Sequence, residues 1–337
     1  MSAAGTARVE RVDPQQEPAL RRWWEVGRDA WLPDRAVDDW PAWEVSRRVL
    51  PADNPERETS LHLAHDGDEV VGFGMVILPV LDNPHLAFVD LGVLPGHRRR
   101  GHGTTLLRDL EQRVRERGRT TVVSEGYAAP GGTAPCEPFA AERGYEVANE
   151  ETIKHLDVAT YRDLREDLSH EVAPHVSGFR IVSWDTVCPD ELAVECSRLL
   201  SGFHGEVPLG DLALEDSEWS PARMKDWEAR NLAVGRHAFS AAALAADGSM
   251  AGLSGLRVDD DAPTTGSVGI TLVEPRHRGH RLGLALKAAV TDRALEHFPG
   301  LARVETTNAA SNRHMAAVNE RLGFRPVERL LELQRVL

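Results

Sequence analysis

Hydrophobic and polar positions repeat one order of periods twice along the chain. Residues 8–12 and 180–183 read as opening strands, each followed by a stretch of helical spacing, over 16–30 and 189–201. The turn dipeptides Asp66-Gly67 and Asp247-Gly248 then divide apolar runs into hairpins, whose second arms carry glycines suited to close backbone approach. Strands over Leu86–Val93 and Val268–Val273 come next. From His102 the apolar positions Leu106, Leu107, Leu110 and Val114 share one helical face, and Gly118 is a natural left-handed terminator. Strands at Thr120–Ser124 and Arg303–Thr307 follow, so each half alternates strand, helix and strand in an α/β (α+β) manner.

The two halves are copies. VLPGHRRRGHGTTLL from Val93 and VEPRHRGHRLGLALK from Val273 share Val-x-Pro-x-His-Arg at an offset of 180 residues. Gly72 meets Gly252 at the same offset, and the Arg-Gly-Tyr ending at Tyr145 meets the Leu-Gly-Phe ending at Phe324 at 179. A constant offset over three blocks marks a duplicated domain. The expected division is a first domain over residues 1–158, a polar linker over 159–177 holding at most a short helix, and a second domain over 178–337.

Composition narrows the class. The 337 residues are too many for one ordinary core, and no run reaches the roughly 18 apolar residues that a membrane span needs. A net charge of −14 argues against a nucleic-acid partner and mildly favours a cationic small molecule. Cys136, Cys188 and Cys196 fit neither a disulfide framework nor a zinc site, and MSAAGTARVERVD lacks an apolar signal core, so a reducing cytoplasm is expected. His62 and His65 sit in a strand-like run without further ligands, and no metal site is expected.

The chemistry-bearing element is a strand ending at Val93, a proline, and then Arg98, Arg99, Arg100, Gly101, His102 and Gly103 opening a helix. Glycines there admit a bulky anion and leave the first helical N–H groups free to point at it, so a pyrophosphate is the natural ligand. No Gly-x-x-x-x-Gly-Lys-Ser/Thr occurs, and no Gly-x-Gly-x-x-Gly follows a strand.

This block resembles the acetyl-CoA signature of the GCN5-related N-acetyltransferase (GNAT) superfamily, Gln/Arg-x-x-Gly-x-Gly/Ala, here Arg98, Gly101 and Gly103. The resemblance covers most of both halves and implies two tandem domains, each a mixed, mostly antiparallel sheet flanked by helices and splayed near Val93. It implies that Leu91 and Val93 meet the pantetheine arm, that the Val93 N–H polarises the thioester carbonyl, and that Arg98 to Thr104 cradle the pyrophosphate of acetyl-CoA. In the second copy, Leu272, Val273, Arg278, Gly279, His280, Arg281 and Gly283 take the matching places. Arg281 replaces the middle glycine; it either keeps its backbone donor and reaches a phosphate, or fills the site. The second copy also resembles a recurrent actinobacterial tandem type, which makes Asn308 and Asn312 candidates for the cofactor arm, against a reading in which they cap a helix.

Ala140 and Asn319 stand where many relatives place an acidic tyrosine. Either thiolate leaves unaided or Tyr127 substitutes. Asp90, Glu125 and Glu305 are candidate bases, each also readable as a solvated strand carboxylate.

Five of eight tryptophans lie between residues 23 and 43, interleaved with aspartates. Trp31, Asp34 and Trp40 are therefore candidates for binding a cationic amine, the alternative being helices anchored on the core. His204 and Glu206 occupy the equivalent acidic region of the second copy. The expected activity is acetyl-CoA-dependent transfer to a small cationic amine. Transfer to a protein lysine or N-terminus, mycothiol-type synthesis, and a non-catalytic acyl-CoA-binding module are the alternatives. A monomer or loose homodimer is expected, because fused domains satisfy each other's packing.

Overall fold

The computed structural model describes residues 8–337; the first seven residues of the segment read above as lacking a signal core lie outside them. The first half runs β1 (Arg8–Val12), α1 (Glu17–Trp31), α2 (Trp43–Val49), β2 (Arg57–Asp66), β3 (Glu69–Pro79), β4 (Leu86–Val93), α3 (His102–Glu116), β5 (Thr121–Ala128) and α4 (Glu137–Ala141). Then come β6 (Glu146–Asp157), α5 (Val158–Val172), β7 (Arg180–Asp185), α6 (Ala193–Ser201), α7 (Pro221–Ala233), β8 (Arg236–Leu244), β9 (Met250–Asp259), β10 (Thr265–Val273), α8 (Leu282–His297), β11 (Arg303–Ala309), α9 (Arg313–Leu322) and β12 (Arg325–Val336). Among the described residues no helix is long and apolar enough to cross a membrane.

Two compact units form, and they are not the two sequence halves. One holds the chain up to Glu150 with Leu209–Glu215 and Glu328–Leu337; the other holds Glu151–Pro208 and Asp216–Val327. In the first unit the strand order is β1-β2-β3-β4-β5-β12, with Arg329–Val336 of the last strand antiparallel to Thr121–Ala128. In the second it is β7-β8-β9-β10-β11-β6, with residues 151–157 of β6 antiparallel to β11. Each unit is thus completed by a strand from the other copy. A strand's own pattern says which face is buried, not which neighbour is paired.

The expected linker over 159–177 is mostly helix α5. Val158, Tyr161, Leu168 and Val172 bury one side of it in the core of the second unit, and Tyr161 Oη donates to Asp292 Oδ1 at 2.9 Å. The charged YRDLRED run hid this helix, because its charges occupy the outward face only.

Other expectations hold in detail. Leu106, Leu107, Leu110 and Val114 of α3 are all buried, and Gly118 sits at φ +71° just past its end. A Cβ on Gly72 would lie 2.5 Å from Gly92 O, and one on Gly252 would lie 2.8 Å from Leu272 O, so these glycines are required by strand approach. His62 on β2 is buried, and burial pushes its pKa down to about 4.

The segment Leu209–Glu215, which follows His204 and Glu206 in the chain, belongs to the first unit. Asp211 N–H donates to Ala148 O at 2.7 Å, and Ala213 N–H to Gln334 Oε1 at 2.7 Å. Gly210 turns this segment at φ +59°, where a Cβ would meet Ala148 O at 2.2 Å. Gly210→Ala is accordingly expected to cost about 2–4 kcal/mol in denaturant unfolding, through left-handed strain together with a backbone clash.

Candidate functional site

In the first unit β4 and β5 run parallel over three residue pairs only, Leu86–Phe88 on Thr121–Val123. Beyond Phe88 they part. Leu94 N–H donates to Val71 O at 2.9 Å, so by antiparallel alternation the even residues of β4 bond β3 while Leu91 and Val93 point their N–H groups into the opening. The second unit repeats this geometry. Parallel pairing of β10 with β11 ends at Val268–Thr306, Glu274 N–H donates to Ala251 O, and the Val273 N–H points into the corresponding opening.

Each opening leads to a helix whose N-terminus is left bare. α3 has Gly101 at its N-cap, left-handed at φ +91°, and α8 has Arg281 at φ +54°; neither receives a side-chain cap, which they share with α1, α2, α4 and α6, but among the described α-helices only these two start from a left-handed residue. Free N–H groups at a helix start, on a loop of glycines and exposed Arg99 and Arg100, suit a diphosphate. Added Cβ atoms at Gly101 meet nothing, so its requirement is conformational; one at Gly103 would stand 3.4 Å from Phe139 and 3.6 Å from Val93. Thr104 Oγ1 accepts from Arg143 Nη2 at 2.5 Å.

The side chains of this loop divide differently from the sequence expectation. Arg98 does not face an anion: it donates to Val93 O, Asp34 Oδ1 and Ala30 O, each at 2.9 Å, and pins the loop to the end of α1. Asp34 is engaged by that contact through one carboxylate oxygen. Arg278 does the same in the second unit, reaching Val273 O at 3.1 Å and Glu206 Oε2 at 2.5 Å, so Glu206 is likewise committed. His102 is buried beneath its loop, whereas His280 is exposed with its ring 5.4 Å from that of Phe179. Arg281 stands in the place of the middle glycine. With Gly279 at φ +87° beside it, it keeps the left-handed backbone that a glycine would adopt, and its side chain is paired with Glu171 of α5. Leu272 is buried, and a Cβ on Gly283 would lie 3.8 Å from Val318.

At the parting of β4 and β5 lie the acid-base candidates of the first copy. Asp90 is partly buried on β4, and burial first, then the neighbouring Glu125 carboxylate, pushes its pKa up to about 7. Tyr127 donates its hydroxyl to Glu125; burial and the Glu125 and Asp90 charges raise its pKa well above the ordinary value, so it stays protonated. The structure brings these three candidates together.

Two residues escaped the sequence reading. The Arg35 guanidinium lies over the Trp31 ring at 3.6 Å and over Tyr127 at 3.7 Å, and it pairs at 2.6 Å with Glu328, a fully buried residue of β12. The face of Trp31 expected to receive an amine is therefore covered by the protein's own cation. Trp40 is packed on Trp23, Trp31 and Phe73 with a partnerless indole N–H, while Trp23 and Trp24 are buried in the core. Nothing local in the sequence links Arg35 to a glutamate 293 positions away.

The second unit lacks this acid-base group. Ile270 has the strand register of Asp90, opposite Gly255 as Asp90 is opposite Met75. Glu305 lies within the paired part of β11, before the opening, 3.2 Å from His155. Asn312 is a helix cap, accepting from Met315 N–H at 3.0 Å. Asn308 is buried and takes the Lys154 ammonium at 2.6 Å and the Asn319 amide at 3.0 Å, so neither asparagine faces a cofactor arm. Asn319 in turn accepts from Lys287 Nζ at 2.5 Å, which also reaches Thr306 Oγ1 at 3.1 Å. His204 stacks near Phe203, ring centroids 5.6 Å apart.

The description "Acetyltransferase (GNAT) family" fits residues 18–129 and 207–324. No curated protein sequence matches the chain. Among solved structures, a tandem GNAT protein from the clavulanic acid biosynthesis pathway is 28% identical, with 98% of each chain covered and a TM-score of 0.78. A GCN5-related N-acetyltransferase from Sphaerobacter thermophilus is 17% identical over 98% of this chain and 96% of that one, with a TM-score of 0.65.

The burial of Lys287 makes stability depend on pH. Burial, and then the Lys154 charge, lowers its pKa to about 7 from 10.5. Below about pH 7 it is charged in folded and unfolded chains alike and the folded state bears the full desolvation cost; above 10.5 it is neutral in both and that cost vanishes. Between those values the unfolded state holds the extra proton, so stability rises with pH, by up to about 1.4 kcal/mol per unit. Urea titrations at several pH values should show that slope, flattened in Lys287→Met.

Proposed function

From the premise that the chain belongs to the acetyltransferase (GNAT) family, we propose that its first unit transfers an acetyl group from acetyl-CoA to a primary amine of a small cationic metabolite. Acyl transfer is the activity of the family; the donor, the acceptor class and the working unit are the proposal. It is carried by one observation, the placing of the Asp90 carboxyl beside Glu125 where β4 leaves β5.

The residues present fit the donor. The bare N-terminus of α3, Gly101, Gly103, Arg99 and Arg100 would hold the diphosphate, and the free N–H groups of Leu91 and Val93 would hold the pantetheine arm and its carbonyl. When bound, acetyl-CoA supplies the activated acyl carbon. Asp90 as carboxylate takes a proton from the incoming ammonium and frees the nitrogen lone pair; a base near pKa 7 is matched to that task at neutral pH. Tyr127, kept protonated and held by Glu125, has the proton that a departing thiolate needs. Val93 is fixed by the Arg98 guanidinium on its carbonyl, so its N–H direction is set before substrate arrives.

Two further observations favour this division of labour. Ile270 in the place of Asp90 leaves the second unit without the corresponding base, which suits a structural or binding role there. The solved tandem relative comes from a small-molecule biosynthetic pathway, which favours a metabolite over a protein lysine as acceptor.

Thiol release from acetyl-CoA with a panel of primary amines tests the chemistry. Because only ionised Asp90 accepts a proton, kcat/KM should climb as pH rises through about 7. Asp90→Asn should lose roughly 10²-fold or more and flatten that limb; an unchanged profile removes Asp90 from the reaction. Calorimetric titration of acetyl-CoA should give one site per chain, weakened at least about 100-fold in Gly101→Glu, where a side chain and a negative charge enter the left-handed loop position. Binding retained in that variant would move the donor site to the Arg278–Gly283 loop.

A further inference from the structure

Arg35 closes the short turn that follows α1, and its side chain is only 4% exposed. The Trp31 and Tyr127 rings stand at 72° to each other with centroids 5.5 Å apart, and the guanidinium carbon sits in the corner between them, 3.6 Å from one centre and 3.7 Å from the other. Glu228 and its helix lie in the other unit; the acid that holds this cation is Glu328 of β12, which is fully buried. Its Oε2 accepts from Arg35 Nε at 2.7 Å and Nη2 at 2.6 Å, and its Oε1 accepts the Ala36 N–H at 2.8 Å. A buried ion pair adds little stability over apolar side chains of its size, so stability alone does not account for it.

The Tyr127 ring that Arg35 touches is the one whose hydroxyl bonds Glu125 at the opening between β4 and β5. When that hydroxyl serves as acid, the electron pair of the breaking carbon–sulfur bond stays on sulfur and sulfur takes the phenol proton. The phenolate then carries the negative charge until water returns a proton. Glu125 and Asp90 both oppose that charge, and Arg35 acts in the opposite sense across the face of the ring. Burial away from water strengthens the effect.

We propose that Arg35 is a positioning residue for acyl transfer in the first unit: it fixes the Tyr127 ring against Glu125 and holds a positive charge on the ring face while the hydroxyl gives up its proton. The proposal rests on Tyr127 as the acid of the transfer described above. Arg35 acts through that tyrosine.

The test is a mutant cycle on thiol release from acetyl-CoA, with the amine that gives the fastest release in the unaltered chain. Arg35→Met combined with Glu328→Gln removes both charges together and leaves no unpaired buried acid. Tyr127→Phe removes the hydroxyl and keeps the ring that Arg35 touches. The charge-free pair is expected to lower kcat about tenfold or more with the KM for acetyl-CoA within about twofold, and to lower kcat less than about twofold once Tyr127→Phe is present. Equal losses in both backgrounds would show a merely structural role and overturn the inference, as would an undiminished kcat in the charge-free pair. An undiminished kcat in Tyr127→Phe alone would overturn it together with the acid role of the tyrosine. Absence of thiol release by the unaltered chain would overturn the acyl-transfer reading and this inference with it. Should the charge-free pair fail to fold, Arg35→Lys, which keeps a cation for Glu328 and loses the planar contact, runs the same cycle, with a loss of about threefold expected only where Tyr127 is present.

Discussion

The parting of two parallel strands governs this molecule. β4 stays on β5 for three residue pairs and then leaves it. Within a sheet every strand N–H is normally paired, so a strand that leaves its neighbour while still bonded on its other side exposes a row of polar backbone groups pointing one way. Leu91 and Val93 supply that row here, and the side chains beyond the last pair, Asp90, Glu125 and Tyr127, face the same gap. Their titration behaviour follows from position: two carboxylates at one opening, one of them stripped of water, cannot share negative charge at ordinary carboxylate pKa.

The two copies keep this backbone and spend their side chains differently. Arg98 and Arg278 both bond the carbonyl that closes the preceding strand and then reach an acid, Asp34 or Glu206. Arginine at this place is therefore a brace in both units. At the middle glycine they diverge: Arg281 accepts a left-handed backbone, and Glu171 holds its side chain. The second unit has Ile270 in the place of Asp90, and it holds a buried network of Lys154, Lys287, Asn308 and Asn319, whose polar groups bond one another. Such a network fixes packing uniquely when all its members are satisfied.

Charge satisfied inside the protein recurs in the aromatic cluster of the first unit. Tryptophans beside carboxylates read as a place for a foreign cation, yet Arg35 lies between Trp31 and Tyr127 with Glu328 as its counter-charge. An arginine tethered nearby competes at high effective concentration for any aromatic face within its reach.

The sequence by itself determined the duplicated α/β plan, the hairpins at Gly67 and Gly248, the buried face of α3 and the bare loop at Gly101, because each rests on local period or on a conformation that glycine adopts most easily. It also offered Asp90 and Glu125 as carboxylates on neighbouring strands and Tyr127 as a stand-in for the family's missing tyrosine. Tertiary structure alone decided that β6 and β12 change places between copies, that residues 158–172 form a core helix, and that Arg98, Asp34, Glu206, Asn308 and Asn312 are committed to internal bonds. Strand partnership and long-range ion pairs are set by which surfaces meet after collapse. A residue's local pattern records its burial and period, and it carries no record of a partner 293 positions away.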